Sequence, residues 1–64
     1  MFSNLQAEMA RRKITARGLA KYMDIHENSL YRKLEGKVEF KLDEMEAIKR
    51  LLEVEEPLDY LFER

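Results

Sequence analysis

Residues 15–34 read TARGLAKYMDIHENSLYRKL and contain two short stretches with the apolar spacing of a helix. In both stretches apolar residues recur three or four positions apart, so each predicted helix has one face to bury. The first predicted helix covers residues 16–23 and the second residues 27–35, with only residues 24–26 between them. The sequence therefore predicts two helices that meet at a tight corner.

Apolar residues at this corner are placed to lock the two helices together. Ala20 is small enough to let the helices approach closely, and Ile25 fills the turn. The other apolar positions fill the angle between the helices, and they are Leu19, Met23, Leu30 and Leu34. Such a corner is a helix-turn-helix arrangement.

The rest of the chain also favours helices, because it has two glycines, one proline and no strand-like alternation. Three helix starts share a hydrophobic-staple spacing, and their caps are Thr15, His26 and Lys41. Further helices are predicted from about Ser3 to Arg12 with Ser3 and Gln6 as a capping box, from about Leu42 to Leu52, and after Pro57. At 64 residues these five helices form one domain, residues 1–64, with the corner at about 16–35.

Charge divides the chain into two unlike parts. Residues 1–37 contain eight basic and four acidic residues, whereas residues 38–64 contain four basic and nine acidic ones. The first part is net positive, which favours contact with phosphate, whereas the second part is net negative and would face away from it. Solvated helix faces would produce the same division, so charge alone leaves both interpretations open.

The stretch from Ile14 through Phe62 resembles the lambda-repressor and Cro type of helix-turn-helix domain. The resemblance is carried by Leu19-Ala20, Ile25, the run from Ser29 to Lys37, Glu39-Phe40, Leu42 and Leu58 to Phe62. It implies a five-helix DNA-binding domain whose recognition helix, about 27–35, lies in the major groove of double-stranded DNA. It also implies a phage or bacterial transcriptional regulator such as a repressor, located in the cytoplasm or nucleoid and often paired as a homodimer on a palindromic operator. Asp24 and Glu53 stand where this family usually has glycine.

Helical geometry predicts which side chains would contact DNA. At about 100° per residue, the inward-facing Leu30 and Leu34 turn the opposite side of their helix outward. The predicted base-reading residues are Asn28, Tyr31, Arg32, Glu27 and Ser29, and the predicted phosphate contacts are Thr15, Ala16, Arg17, Lys33 and Lys37. Glu27 would either accept from a cytosine amino group or repel the DNA. The basic run Arg11 to Lys13 would either steer DNA or complement the dipole of the first helix.

Other classes of function find less support in the sequence. With one histidine, no cysteine and no phosphate-binding loop, we predict no enzyme activity, no small-molecule substrate and no cofactor. Asp24, His26 and Glu27 are typical of turn and cap residues, so we predict no metal site. No apolar stretch is long enough to span a membrane. The main alternative is a module of the same fold that binds another protein instead of DNA, and its support is Glu27, Glu35 and the acidic second half.

Overall fold

The computed structural model describes residues 1–64 and is all-helical, as the sequence predicts. Its five helices are α1 (Ser3–Arg11), α2 (Ala16–Met23), α3 (Glu27–Leu34), α4 (Leu42–Leu52) and α5 (Leu58–Leu61). The bounds of α2 and α4 agree with the prediction. Helix α3 ends at Leu34, one residue earlier than predicted, and Glu35 is its C-cap. Gly36 follows with a φ of 83°, which glycine adopts without strain. Helix α2 packs on α3 and α4, and α5 packs on α4 and α1.

The three predicted caps lie at the predicted positions. Thr15 Oγ1 accepts a hydrogen bond from the Gly18 N–H at 3.0 Å, and His26 Nδ1 accepts one from the Asn28 N–H at 3.2 Å. The Lys41 side chain cannot accept a hydrogen bond, so it caps no N–H of α4. Instead, the Glu44 carboxylate accepts from the Lys41 backbone N–H at 2.8 Å. These bonds satisfy N–H groups that a helix start otherwise leaves free.

The start of α1 differs from the prediction, and no capping box forms there. The helix begins at Ser3 after Phe2, which has a φ of 52° and no side-chain cap, and the Gln6 N–H donates to the Phe2 carbonyl at 3.0 Å. The Phe2 ring is buried and packs edge-on against Phe40 and Phe62, with centroids 5.5 and 6.1 Å away. Packing of this aromatic ring, rather than a polar cap, therefore fixes where α1 begins.

All five helices contribute to one hydrophobic core. Six side chains have no exposed surface, and they are Leu5, Leu19, Leu30, Ile48, Leu52 and Leu61. Each such residue contributes about 1.5–3 kcal/mol by leaving water. Because Leu61 is in this core, α5 serves the fold of its own domain.

A polar cluster around Glu8 joins the first and last helices. The Glu8 side chain is 4% exposed, and its carboxylate binds Arg11 at 3.0 Å, Arg12, and the Tyr60 hydroxyl at 3.1 Å. Asn4 adds a bond to the Tyr60 carbonyl at 2.8 Å. The hydrogen bond from Arg12 outweighs the effect of burial and holds the pKa of Glu8 below its usual 4.5. Both arginines thus bind Glu8, and Arg12 also donates to the Glu8 backbone carbonyl at 3.2 Å. Steering of DNA by the basic run stays a prediction.

Glu8→Gln is expected to flatten the acid side of the stability profile. Because the folded pKa of Glu8 lies below 4.5, ionised Glu8 stabilises the fold above that pH, and this stabilisation is lost as the pH falls through the folded pKa. Urea unfolding from about pH 7 to about pH 2.5 measures the effect as the slope of unfolding free energy against pH. Glu46→Gln, at an exposed position of α4, is the control and should keep the wild-type slope. Equal slopes for Glu8→Gln and the wild type would contradict the prediction.

Two helices end on a residue with a left-handed backbone that is not glycine. Asp24 after α2 has a φ of 58°, and Glu53 after α4 has a φ of 55°. These are the two positions where the resemblance leads one to expect glycine. A non-glycine residue pays about 1–2 kcal/mol for this conformation, although aspartate tolerates it better than glutamate does.

Glu53→Gly is therefore expected to stabilise the domain by about 0.5–1 kcal/mol, after the greater flexibility of glycine in the unfolded chain is subtracted. Thermal or urea unfolding measures this gain. Glu53→Ala removes the same carboxylate but keeps a Cβ in the left-handed region, so it should give no comparable gain. If the alanine variant were stabilised as much as the glycine variant, relief of backbone strain would not be the cause.

Candidate nucleic-acid interface

Helices α2 and α3 meet at the predicted corner. The turn between them is closed by a backbone hydrogen bond from the Ile25 N–H to the Ala20 carbonyl at 3.1 Å. Leu19, Ala20 and Leu30 are buried, and Ile25 packs against the core. The left-handed Asp24 lets the chain reverse direction within three residues. The corner is therefore a rigid support for whatever α3 presents to solvent.

The outer face of α3 carries the side chains that the sequence predicted to read bases. Asn28, Ser29, Tyr31 and Arg32 are exposed, and Glu27 is partly exposed. Leu30 has no exposed surface, so the outward and inward faces of the helix are separated as helical geometry requires. All five side chains are thus at least partly accessible to solvent, with Glu27 the least exposed of them. Whether they contact bases stays a prediction.

Glu27 and Tyr31 are bonded to each other one turn apart on α3. The Tyr31 hydroxyl donates to Glu27 Oε2 at 2.9 Å. This hydrogen bond, together with the nearby negative charge, raises the pKa of Tyr31 above its ordinary value of 10.0. Tyr31 is 44% exposed, and its hydroxyl remains a donor at physiological pH.

Most of the predicted phosphate contacts lie at the rim of the same corner. Thr15 caps α2, Ala16 is its first residue, and Arg17 follows with an exposed side chain. Lys37, beyond the end of α3, has a side chain 72% exposed and a loose ion pair with Glu35 at 3.5 Å. Such an exposed pair is worth little, so the Lys37 ammonium is available to another anion.

Lys33, which the sequence predicted as a phosphate contact, is not exposed at the rim of the corner. The residue is only 9% exposed, and its ammonium binds the Glu44 carboxylate on α4. Burial opposes ionisation of Glu44, but the bonds from Lys33 and from the Lys41 backbone outweigh it and hold the pKa of Glu44 below its usual 4.5. Lys33 therefore joins α3 to α4. Because its charge already has a partner, we leave it out of the phosphate contacts proposed below.

One basic side chain near this surface, Lys21, was not among the predicted phosphate contacts. A shallow groove between α2 and α3 is lined by Arg17, Lys21, His26, Glu27, Ala20 and Ile25. Lys21 is four residues after Arg17, so the two side chains share one face of α2. That spacing was visible in the sequence and could have identified Lys21 as a companion of Arg17.

A tight corner of two helices, with a polar and accessible second helix, defines a helix-turn-helix domain. A family model described as Cro/C1-type HTH DNA-binding domain matches residues 4–59 of the 64. The chain belongs to this family, and membership supports double-stranded DNA as its ligand. Neither a search of curated proteins nor one of solved structures gave a match.

Two further features were considered from the sequence, a metal site and a membrane-spanning segment. No group of three or more histidine, cysteine, aspartate or glutamate side chains is placed to hold a metal ion. None of the five helices combines the length and the apolar character that crossing a bilayer demands. Membership in the helix-turn-helix family makes the surface of α2 and α3 the candidate interface.

Proposed function

We propose that this chain is a small transcriptional regulator that binds a specific double-stranded DNA sequence, with α3 in the major groove. One observation carries the proposal: α3 presents Asn28 and Arg32, one turn apart, from a rigid helix-turn-helix corner. Asparagine can bond adenine and arginine can bond guanine in a bidentate manner. Family membership supports the DNA part of this proposal, and the exposed polar row on α3 supports the sequence-specific part.

Phosphate contacts would hold the domain in register on the duplex. In this proposal the start of α2, at Thr15 and Ala16, offers backbone N–H groups and the positive end of the helix dipole to one phosphate. Arg17, Lys21 and Lys37 add charge on either side of α3 without reading sequence.

The proposed regulator acts as a homodimer on a palindromic operator, a repressor-like arrangement in a bacterial cytoplasm or nucleoid. Two-fold sites for such domains have half-sites about 34 Å apart, so symmetry in the selected DNA would reveal the pairing. The rival function is protein binding by the same fold. The specific observation that favours it is the negative charge of Glu27 and Glu35 on the surface assigned to DNA.

Selection of bound duplexes from a random pool tests the proposal directly. We expect an enriched sequence with two-fold symmetry. A salt series on random duplex then separates DNA binding from protein binding, because the affinity should fall with log-log slope of about −0.9 per phosphate contact. No enriched sequence, together with no affinity for duplex DNA at low ionic strength by a folded domain, would refute the proposed function.

A further inference from the structure

Glu27 is the one acidic side chain at the start of the recognition helix, and no cation neutralises it. The ion pairs of the domain involve Glu8, Glu35 and Glu44, but not Glu27. Arg17 and Lys21 line the same groove as Glu27 without forming a salt bridge to it. Its hydrogen-bond partner is neutral, the Tyr31 hydroxyl. An unpaired negative charge at this place repels phosphate, so binding of DNA here requires a favourable contact of the carboxylate that offsets the repulsion.

We propose that Glu27 and Tyr31 act as one unit that specifies cytosine at one position of each half-site. This inference rests on the proposed function and names one part of the sequence to be read. In the unit, Glu27 accepts a hydrogen bond from the cytosine N4 amino group, and Tyr31 holds the carboxylate in place.

The chemistry of the major groove selects cytosine among the four bases. An ionised carboxylate only accepts hydrogen bonds, and guanine and thymine offer it acceptors. Adenine offers an amino group but places the N7 acceptor beside it, whereas cytosine offers the amino group without that neighbour. The first residues of a recognition helix are also those that reach base edges, and Glu27 is the first residue of α3.

Tyr31 is the positioning residue of the pair. Its bond occupies Glu27 Oε2 at 2.9 Å and leaves Oε1 free to accept from the base. The bond joins positions four apart on one helix face, so it also restricts the rotation of the Glu27 side chain before DNA arrives. Without the hydroxyl, the carboxylate is free to turn toward the cations of the groove, Arg17 and Lys21.

Three variants test the pair, each with the same random-pool selection and with two duplexes that differ at the assigned position. Glu27→Gln replaces the carboxylate by an amide of equal shape, and Tyr31→Phe removes only the hydroxyl. Tyr22→Phe is the matched control, because it removes the same atom from a tyrosine that is 50% exposed on α2, outside the proposed contacts. Melting temperatures of all three verify that the fold is retained.

We expect the wild type to prefer the C·G duplex over its T·A counterpart by about 5- to 150-fold. Glu27→Gln should lose this preference at that position alone, and its affinity for random DNA should rise because a repelling charge is gone. Tyr31→Phe should weaken the same preference about 2- to 10-fold, with other positions and the melting temperature unchanged. Tyr22→Phe should match the wild type.

The inference is overturned if the wild type selects a sequence but Glu27→Gln leaves every position of it unchanged. Loss of preference in Glu27→Gln together with wild-type behaviour of Tyr31→Phe would overturn the role of Tyr31. If the wild type selects no sequence at all, the proposed function itself is wrong, so the two failures are distinguishable.

Discussion

Leu30→Ala is expected to leave little folded protein at room temperature. Leu30 is on α3, has no exposed surface, and belongs to the core cluster that holds the corner. Replacing a buried leucine by alanine costs about 2–5 kcal/mol, because apolar contact is lost and a cavity remains. A core of this size rarely supplies more than about 3–5 kcal/mol of net stability. Far-UV circular dichroism during urea unfolding measures the change as a shift of the midpoint.

Leu42→Ala is the matched control for this prediction. The same side-chain atoms are removed, but Leu42 is 60% exposed at the first position of α4, so little burial is lost. We expect a change within about 0.5 kcal/mol, as is usual for surface positions. Similar midpoints for the two variants would show that the corner does not depend on Leu30, and the rigid support assumed for α3 would then be wrong.

The helix boundaries were predictable because local chemistry sets them. Thr15, His26 and Lys41 each follow an apolar residue that packs against the core, and the structure has its caps at these three positions. The left-handed C-caps at Asp24 and Glu53 fall at the two places where the family usually has glycine. These features depend on residues within about one helical turn of each other, so the sequence alone contains the information.

Contacts between distant parts of the chain were not predictable in the same way. Phe2 meets Phe40 and Phe62 only after the five helices have packed, so nothing near Ser3 revealed that an aromatic ring would replace the expected cap. The same holds for Lys33, whose partner on α4 is eleven residues away along the chain. A basic residue near a recognition helix looks available for phosphate until the neighbouring helix is known.

At the candidate interface the sequence identified which side chains point outward, but not how they are coupled. Helical periodicity was sufficient to place Asn28 and Arg32 on one exposed face. It did not reveal that the Tyr31 hydroxyl would donate to Glu27, since a tyrosine has several rotamers and many partners within reach. The bond is the basis for the role proposed for Tyr31, a support for its neighbour rather than an independent contact.

Arg32→Ala is expected to remove the preference for guanine at one position of the selected sequence. Arg32 is exposed on the outer face of α3 and takes part in none of the salt bridges of the domain. Its guanidinium is therefore free to bond guanine O6 and N7 together, which is worth about 1–3 kcal/mol of discrimination. The measurement is the affinity ratio between the selected duplex and one with A·T at that position.

Arg32→Lys and Lys37→Ala separate charge from recognition in this prediction. Arg32→Lys keeps the charge but loses the planar pair of donors, so it should lose most of the discrimination and retain the salt slope. Lys37→Ala should weaken specific and random DNA alike and reduce the slope by about one, because a phosphate contact carries no sequence information. If Arg32→Ala weakened all sequences equally, Arg32 would be a phosphate contact, and the assignment of α3 as the reading helix would rest on Asn28 and the Glu27–Tyr31 pair.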